Sequence, residues 1–187
     1  MWRVAAFNMI MKQEAYMQRC LELAKRGAGQ VAPNPMVGAV LVCEDRIIGE
    51  GWHRRFGEAH AEVNCLNAVA EKDRPLIPRS RMFVSLEPCA HFGHTPPCAD
   101  RIISEKIPAV VIGCSDSYRE VAGRGIQKLM AAGIKVETGI LEKECRKMNR
   151  RFFTRQEKIR PDIILKWAES NDGYIAPSNG FRTQLSG

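Results

Sequence analysis

Apolar residues recur along this chain with two alternating periods, one typical of helices and one typical of strands. From Lys12 to Ala28 an apolar stripe has helical spacing, and Gly29 ends it. Two apolar runs follow, and the Glu44-Asp45 pair that joins them predicts a β-hairpin. The predicted strands are 37–43, 46–53, 81–86, 108–113 and 134–138, and the predicted helices are 12–28, 60–70, 98–105, 122–132 and 141–156.

The alternation of strands and helices predicts the fold class. Strands separated by helices need crossover connections, which favour parallel pairing. We therefore expect an α/β fold with a mixed, mostly parallel central sheet, opened by the antiparallel hairpin and covered by helices on both faces. Ligands of such sheets bind beyond the carboxyl ends of the strands. His53 ends a predicted strand, and Cys89 and Asp116 each follow one, so the functional site is expected at that edge.

The two ends of the chain depart from this pattern. Residues 1–11 hold a short apolar run that Asn8 interrupts, and we expect a disordered extension there. Residues 12–156 contain the alternating elements and form the expected domain. Within 157–187, the run 162–168 predicts one more buried strand, but the polar residues after it predict no further element. This last part is expected to be the truncated start of a second domain.

Composition narrows the class of protein. The 187 residues are 45% hydrophobic and 26% charged, and no apolar run reaches membrane-spanning length, so one globular domain without a membrane partner is expected. Seven cysteines without an export signal indicate a reducing cytoplasm. The net charge of +7 fits either nucleic acid or a phosphorylated small substrate. The basic helix at 141–156 is interpreted as a solvated face, and an RNA-binding patch is the less favoured interpretation.

Four residues carry candidate chemistry: His60, Glu62, Cys89 and Cys98. One imidazole and two thiolates make a tetrahedral zinc site with one open position, where water becomes a nucleophile because the metal lowers its pKa. Glu62 would then act as the general acid and base. His-x-Glu followed by Pro-Cys-x-x-Cys is typical of zinc deaminases, but here eight residues separate Cys89 from Cys98.

Other interpretations of these residues stay open. A purely structural zinc would need a fourth protein ligand, and Glu62 would then be an ordinary carboxylate. The histidines that could supply this ligand are His53, His91 and His94. Asn34 lies between Pro33 and Pro35, which hold its backbone nearly fixed and extended. Its amide either recognises a ligand or bonds its own backbone in a turn.

These residues together resemble a known family. With Asn34, Asp116 and the runs Glu87-Pro88-Cys89 and Thr95-Pro96-Pro97-Cys98, the chain is similar over about 12–155 to the deaminase half of the bifunctional riboflavin-biosynthesis deaminase/reductases. The resemblance implies a three-layer α/β/α cytidine-deaminase-like fold. It also implies zinc-dependent hydrolytic deamination of 2,5-diamino-6-ribosylamino-4(3H)-pyrimidinone 5′-phosphate. By the same resemblance the Zn²⁺ ligands are His60, Cys89 and Cys98, the catalytic acid/base is Glu62, and the substrate contacts are Asn34, His53, His91, His94 and Asp116.

Two departures from the family concern the substrate contacts. His94 stands where the family usually has Lys or Arg, and Asp116-Ser117-Tyr118-Arg119 stands where it has Asp-Pro-Asn-Pro. A neutral His94 removes one fixed positive charge that would face the substrate's phosphate. We therefore expect a weakened phosphate clamp, which Arg119 or Arg124 would offset.

The end of the chain carries a second resemblance. Residues 161–176 resemble the opening strand of the family's reductase half, but too few residues follow for that half. Reductase activity is therefore not expected, and the product would need a separate reductase. An unpaired apolar strand at 163–167 invites association, so a homo-oligomer is expected. The competing functions are a tRNA or nucleoside deaminase acting on adenosine or cytidine, and a non-catalytic zinc-stabilised remnant.

Overall fold

The computed structural model describes residues 2–92, 96–117, 122–169 and 173. Its regular elements follow the predicted alternation. The strands are β1 (Gly38–Cys43), β2 (Arg46–Trp52), β3 (Arg81–Leu86), β4 (Ala109–Cys114) and β5 (Lys135–Thr138). The helices are α1 (Trp2–Lys25), α2 (Ala61–Asn67), α3 (Cys98–Ser104), α4 (Arg124–Ala131), α5 (Glu142–Met148) and α6 (Arg150–Lys158), with a 3₁₀ helix (Glu71–Arg79) between α2 and β3.

The five strands form one sheet in the order β2-β1-β3-β4-β5. β1 pairs antiparallel with both β2 and β3, whereas β3–β4 and β4–β5 are parallel pairs. β2, β3, β4 and β5 therefore point the same way and only β1 is reversed, which confirms the predicted mixed, mostly parallel sheet. The predicted hairpin turn is also present, and both Glu44 and Asp45 adopt positive φ, at 49° and 64°.

Helices cover both faces of the sheet. Successive strand residues point to opposite faces, so each strand contributes to two separate cores. One core joins the sheet to α2, α3 and α4, through Leu41, Val84, Ile112, Leu66, Ile102 and Leu129. The other joins it to α1, α5 and α6, through Val40, Phe83, Val111, Met17, Cys145 and Phe153. The predicted three-layer α/β/α architecture is confirmed.

Two glycines set how closely the hairpin approaches the helices. A Cβ atom at Gly38 would lie 2.0 Å from the Cys20 carbonyl oxygen of α1, and one at Gly51 would lie 2.2 Å from the Cys65 backbone nitrogen of α2. Any side chain at either position would push the helix away from the strand. The absence of a side chain at Gly51 therefore allows α2 to pack closely against β2. The start of α2 carries two of the candidate site residues.

The N-terminal helix is longer than the sequence pattern predicted. α1 begins at Trp2, within the range 1–11 for which the sequence pattern predicted a disordered extension. No glycine or proline interrupts the chain between Trp2 and Lys25, and Ala, Met, Leu, Gln and Lys within it are good helix formers. Among the described helices, none is long and apolar enough to cross a membrane.

The helix predicted over 141–156 is two helices. α5 ends at Met148 and α6 begins at Arg150, because Asn149 between them has φ −102° and ψ 28°. The side chain of Asn149 is buried and bonds the backbone of Met36, a residue distant in sequence. This tertiary contact holds the chain at the break, and helical periodicity alone does not reveal it.

The run 162–168 is not the buried strand that its apolar residues predicted. The structure assigns it no strand pairing, and its large apolar side chains are exposed. These side chains are Ile163, Ile164, Leu165 and Trp167. An apolar run becomes a buried strand only when a sheet edge accepts it, and none of the five described strands pairs with this segment.

Candidate active site

The candidate site residues meet beyond the carboxyl ends of the strands, as predicted. His53 directly follows β2, Cys89 follows β3 and Asp116 follows β4. His60 is the N-cap of α2 and Cys98 is the first residue of α3. With the exception of Cys98, these residues line one cleft of about 430 Å³.

His60, Cys89 and Cys98 form the metal-binding group, with ligand atoms within 4.8 Å of one another. His60 Nδ1 lies 3.6 Å from Cys89 Sγ and 3.3 Å from Cys98 Sγ. In a tetrahedral zinc site with usual bond lengths, nitrogen and sulfur ligands lie about 3.6 Å apart. The donor set and its spacing therefore fit zinc, and no fourth side chain joins the group among the described residues.

Local hydrogen bonds prepare the two thiols for a metal. The backbone N–H of Cys98 donates to Cys89 Sγ over 3.3 Å. Hydrogen bonding from the Cys98 thiol, with His60 adding to it, lowers the pKa of Cys89. The same interaction with Cys89, together with burial, raises the pKa of Cys98. Cys89 therefore loses its proton readily, whereas Cys98 keeps its proton. A metal ion that binds here displaces the Cys98 proton, because only thiolates ligate zinc.

Glu62 stands beside the metal-binding group in the first turn of α2. Its side chain is buried, yet it lines the cleft together with His60 and Cys89. Burial raises the pKa of Glu62, and the neighbouring His60 opposes that rise. As predicted from the spacing, the first helical turn lets His60 and Glu62 reach the same point although they are two residues apart.

His53 lines the cleft and is not part of the metal-binding group. Its Nδ1 lies 3.2 Å from the Ala59 carbonyl oxygen, which can only accept, so Nδ1 carries the proton. Its Nε2 therefore accepts from Asn34 Nδ2, 3.2 Å away. Burial lowers the pKa of His53, which favours this neutral form. With both nitrogens engaged, His53 does not provide the fourth ligand that a structural zinc would need.

Asn34 presents its amide to the cleft. The side chain bonds His53, which favours the ligand-recognition interpretation over a turn in which the side chain bonds its own backbone. The turn itself is closed by the main chain, through Asn34 N–H and the Val31 carbonyl oxygen at 2.8 Å. Asn34 Oδ1 has no hydrogen-bond partner among the described residues, so the amide is available to a ligand.

The remaining predicted contacts differ in position. His91 and Asp116 both line the cleft, His91 as an exposed residue of the loop after Cys89. His94 and Arg119 lie outside the described residues. Arg124 is the first residue of α4 and does not line the cleft, so its expected role in offsetting His94 gains no support.

Glu87 is a structural residue of the site whose own role the sequence did not predict. Its buried carboxylate accepts four backbone N–H groups, from Asp116 and Gly123 on Oε2 and from Gly125 and Ile126 on Oε1. It thereby fixes the loop after β4 to the start of α4. The only sequence signal was a carboxylate at the end of a buried strand, directly before Pro88.

The second unpredicted contribution comes from the chain around α6. Asn149 Oδ1 accepts from Met36 N–H and Asn149 Nδ2 donates to the Met36 carbonyl, both over 2.8 Å. This pair of hydrogen bonds between the Asn149 side chain and the Met36 backbone holds the loop that carries Asn34. In addition, Phe152, Arg155 and Gln156 line the cleft. The helix interpreted as a solvated basic face therefore forms one wall of the site.

Comparisons with known proteins agree with this geometry. The family model of the cytidine and deoxycytidylate deaminase zinc-binding region matches residues 10–114. The diaminohydroxyphosphoribosylamino-pyrimidine deaminase of Buchnera aphidicola is 45% identical over 145 residues, covering 78% of this chain and 96% of that protein. The riboflavin biosynthesis protein RibD of Aquifex aeolicus is 45% identical over 165 residues, covering 88% of this chain and 45% of that protein.

A solved structure extends the comparison to the fold. The bifunctional diaminohydroxyphosphoribosylaminopyrimidine deaminase/5-amino-6-(5-phosphoribosylamino)uracil reductase of Thermotoga maritima superposes with a TM-score of 0.89 at 42% identity. The match covers 96% of this chain and 51% of that one. The chain thus spans about half the length of this enzyme and of the Aquifex protein.

Proposed function

The chain belongs to the cytidine and deoxycytidylate deaminase family and, within it, to the diaminohydroxyphosphoribosylaminopyrimidine deaminases, and on this premise we propose its reaction. We propose that it hydrolyses the amine of 2,5-diamino-6-ribosylamino-4(3H)-pyrimidinone 5′-phosphate, below called the ribotide, and releases ammonia. The observation that carries the proposal is the His60, Cys89 and Cys98 group with Glu62 beside it at the wall of an open cleft.

The reaction requires two proton transfers. When bound, zinc supplies Lewis acidity that makes water a nucleophile near neutral pH. Glu62 takes a proton from that water, gives it to the adjacent ring nitrogen, and then carries the second water proton to the amine. A carbon–oxygen bond forms and the carbon–nitrogen bond breaks, so ammonia leaves and the ring keeps a carbonyl group. Its buried position in the cleft keeps the Glu62 carboxyl close to the reacting atoms.

Asn34 and His53 orient the substrate. Neutral His53 accepts one N–H of the Asn34 amide, which fixes the orientation of that amide and leaves Oδ1 to accept from an amino group of the ring. His91 and Asp116 lie on the same cleft and complete the proposed set of polar contacts. His94 stays a sequence-based prediction of a further contact.

The test is a comparison of substrates. Purified, zinc-loaded protein is offered the ribotide, cytidine and tRNA, and ammonia release is measured for each. We expect release from the ribotide only. Release from tRNA or cytidine alone would favour the other deaminase class, whereas zinc content without release from any substrate would favour the non-catalytic remnant.

Two proposals concern partners. We propose that reduction of the product is carried out by a reductase outside these 187 residues. In support, the match to this chain covers 96% of the Buchnera deaminase, which leaves too little of that protein for a reductase domain. We also propose a homo-oligomer, because the apolar side chains of Ile163, Ile164, Leu165 and Trp167 are exposed. Sedimentation as a monomer at micromolar concentration would contradict the oligomer.

We propose a cytoplasmic location because the cysteines are free thiols. All seven are free thiols, and six of them are buried. Free thiols persist where the compartment is reducing. Fractionation that places the protein in another compartment would contradict this proposal.

A further inference from the structure

Arg155 is the cation of α6 that faces the active-site cleft. It lies on the cleft wall with Phe152 and Gln156, its side chain is exposed, and it forms no ion pair with any residue that the structure describes. Two other cations of this region are paired, Arg146 with Glu157 and Arg150 with Asp162. The Arg155 guanidinium therefore keeps its full charge and hydrogen-bonding capacity for a ligand.

The rest of the cleft offers little positive charge to an anion. Among its described lining residues Arg155 is the only Lys or Arg, and the carboxylates there are Glu58, Glu62, Glu87 and Asp116. The metal does not correct this balance, because Zn²⁺ held by two thiolates and one imidazole carries no net charge. A substrate with a phosphate group needs a cation, and Arg155 is the one that the described lining provides.

Arg155 also stands where the cleft meets a second cavity of about 510 Å³. The residues that line both are Pro33, Asn34, Pro35, Phe152 and Arg155. Away from the metal, the second cavity adds Lys147, Arg150 and Arg151, against Asp162 as the one carboxylate among its described lining residues. Positive charge therefore begins at the junction, so the anionic group of a ligand that extends from the cleft towards the second cavity meets Arg155 first.

We propose that Arg155 recognises the phosphate of the substrate at this junction and determines the preference for the phosphorylated compound. The inference rests on the proposed function, which places the ring at the metal and beside Asn34, so that the ribose leads towards Arg155. A guanidinium binds phosphate through two parallel hydrogen bonds and stays charged at all relevant pH values. The phosphate clamp then does not depend on a cation at position 94.

The test compares two substrates across four proteins. The kcat/KM values for the ribotide and for its dephosphorylated riboside are measured with the wild type, Arg155→Ala, Arg155→Lys and the control Lys158→Ala. Lys158 is an exposed cation of the same helix that lines neither cavity. The ratio of the two kcat/KM values reports phosphate recognition and is insensitive to the fraction of folded protein.

We expect Arg155→Ala to lower this ratio about 10- to 100-fold, the range for loss of a charge-assisted hydrogen-bonded pair. Arg155→Lys should recover part of it, and Lys158→Ala should keep the wild-type ratio. An unchanged ratio in Arg155→Ala, or an equal fall in Lys158→Ala, would overturn the inference.

A binding measurement separates this inference from the proposed function. If the wild type releases no ammonia from either compound, the proposed reaction fails, and calorimetry with ribose 5-phosphate then decides the role of Arg155. Weaker binding to Arg155→Ala than to the wild type and to Lys158→Ala supports phosphate recognition. Equal binding to all three proteins, or binding to none, overturns it.

Discussion

Glu87 shows at the scale of one residue how the site is held together. A buried carboxylate is costly unless its oxygens are bonded, and here four backbone N–H groups from two segments satisfy them. Close packing supports the same arrangement, since a Cβ atom at Gly125 would lie 1.9 Å from the Pro88 carbonyl oxygen. Glu87 therefore couples the strand end that leads to Cys89 with the loop that carries Asp116.

Glu87→Gln is expected to destabilise the protein by about 2–5 kcal/mol. The amide keeps one acceptor oxygen, while its NH₂ group faces two N–H donors that are partly or fully buried. Each unsatisfied buried donor costs about 1–3 kcal/mol, and a partly buried one costs less. Urea unfolding of the zinc-loaded proteins measures the difference. Glu144→Gln, on the exposed surface of α5, is the matched control and should change the free energy of unfolding by less than about 0.5 kcal/mol. Equal values for the two variants would contradict this account of Glu87.

At the scale of elements, the break between α5 and α6 positions the loop that carries Asn34. Asn149 bonds both the N–H and the carbonyl group of Met36. The loop that ends at Met36 presents Asn34 to His53. The same break turns α6 so that Arg155 lines the cleft. A continuous helix over this range would not bring a side chain into the geometry that Asn149 adopts.

Asn149→Ala is expected to lower kcat/KM for the ribotide about 10-fold, because the loop no longer holds Asn34 in one orientation. A general loss of stability is distinguished by a double-mutant cycle with Asn34→Ala. In the Asn34→Ala background, Asn149→Ala should lower the unfolding free energy but leave kcat/KM of the folded protein unchanged. Additive effects of the two substitutions on kcat/KM would contradict a positioning role.

At the scale of the whole molecule, the metal-binding group joins separate parts of the chain. His60 comes from the start of α2, and Cys89 and Cys98 come from the two ends of the loop between β3 and α3. Both segments pack on the same face of the sheet. Metal that binds only this folded arrangement stabilises it by mass action.

Removal of zinc by a chelator is therefore expected to lower Tm by roughly 10 °C. The reason is that bound zinc adds about 4 kcal/mol to the free energy of unfolding of a protein of this size. Cys98→Ala should show no chelator-dependent shift, because it lacks a ligand. Cys145→Ala removes a buried thiol from the opposite core and should keep the full shift. A wild-type Tm that is independent of chelator would contradict the metal linkage.

Local patterns predicted much of the fold and the residues of the metal-binding group. His60, Glu62, Cys89 and Cys98 follow from short motifs at element ends, and strand and helix periodicities predicted the sheet. Contacts between distant residues escaped prediction, because Glu87 bonds Gly125 and Asn149 bonds Met36 across long stretches of chain. The prediction of a buried strand at 162–168 was wrong for a related reason, since an apolar pattern does not show whether a sheet edge is available to pair with it.

The most direct test of the proposed deamination is steady-state ammonia release from the ribotide by protein of measured zinc content. We expect many turnovers per zinc ion by the wild type. For Glu62→Gln at equal zinc content we expect a rate about 10³-fold lower, because the amide binds no transferable proton. A fully zinc-loaded wild type that releases no ammonia, or a Glu62→Gln variant that retains the wild-type rate, would contradict it.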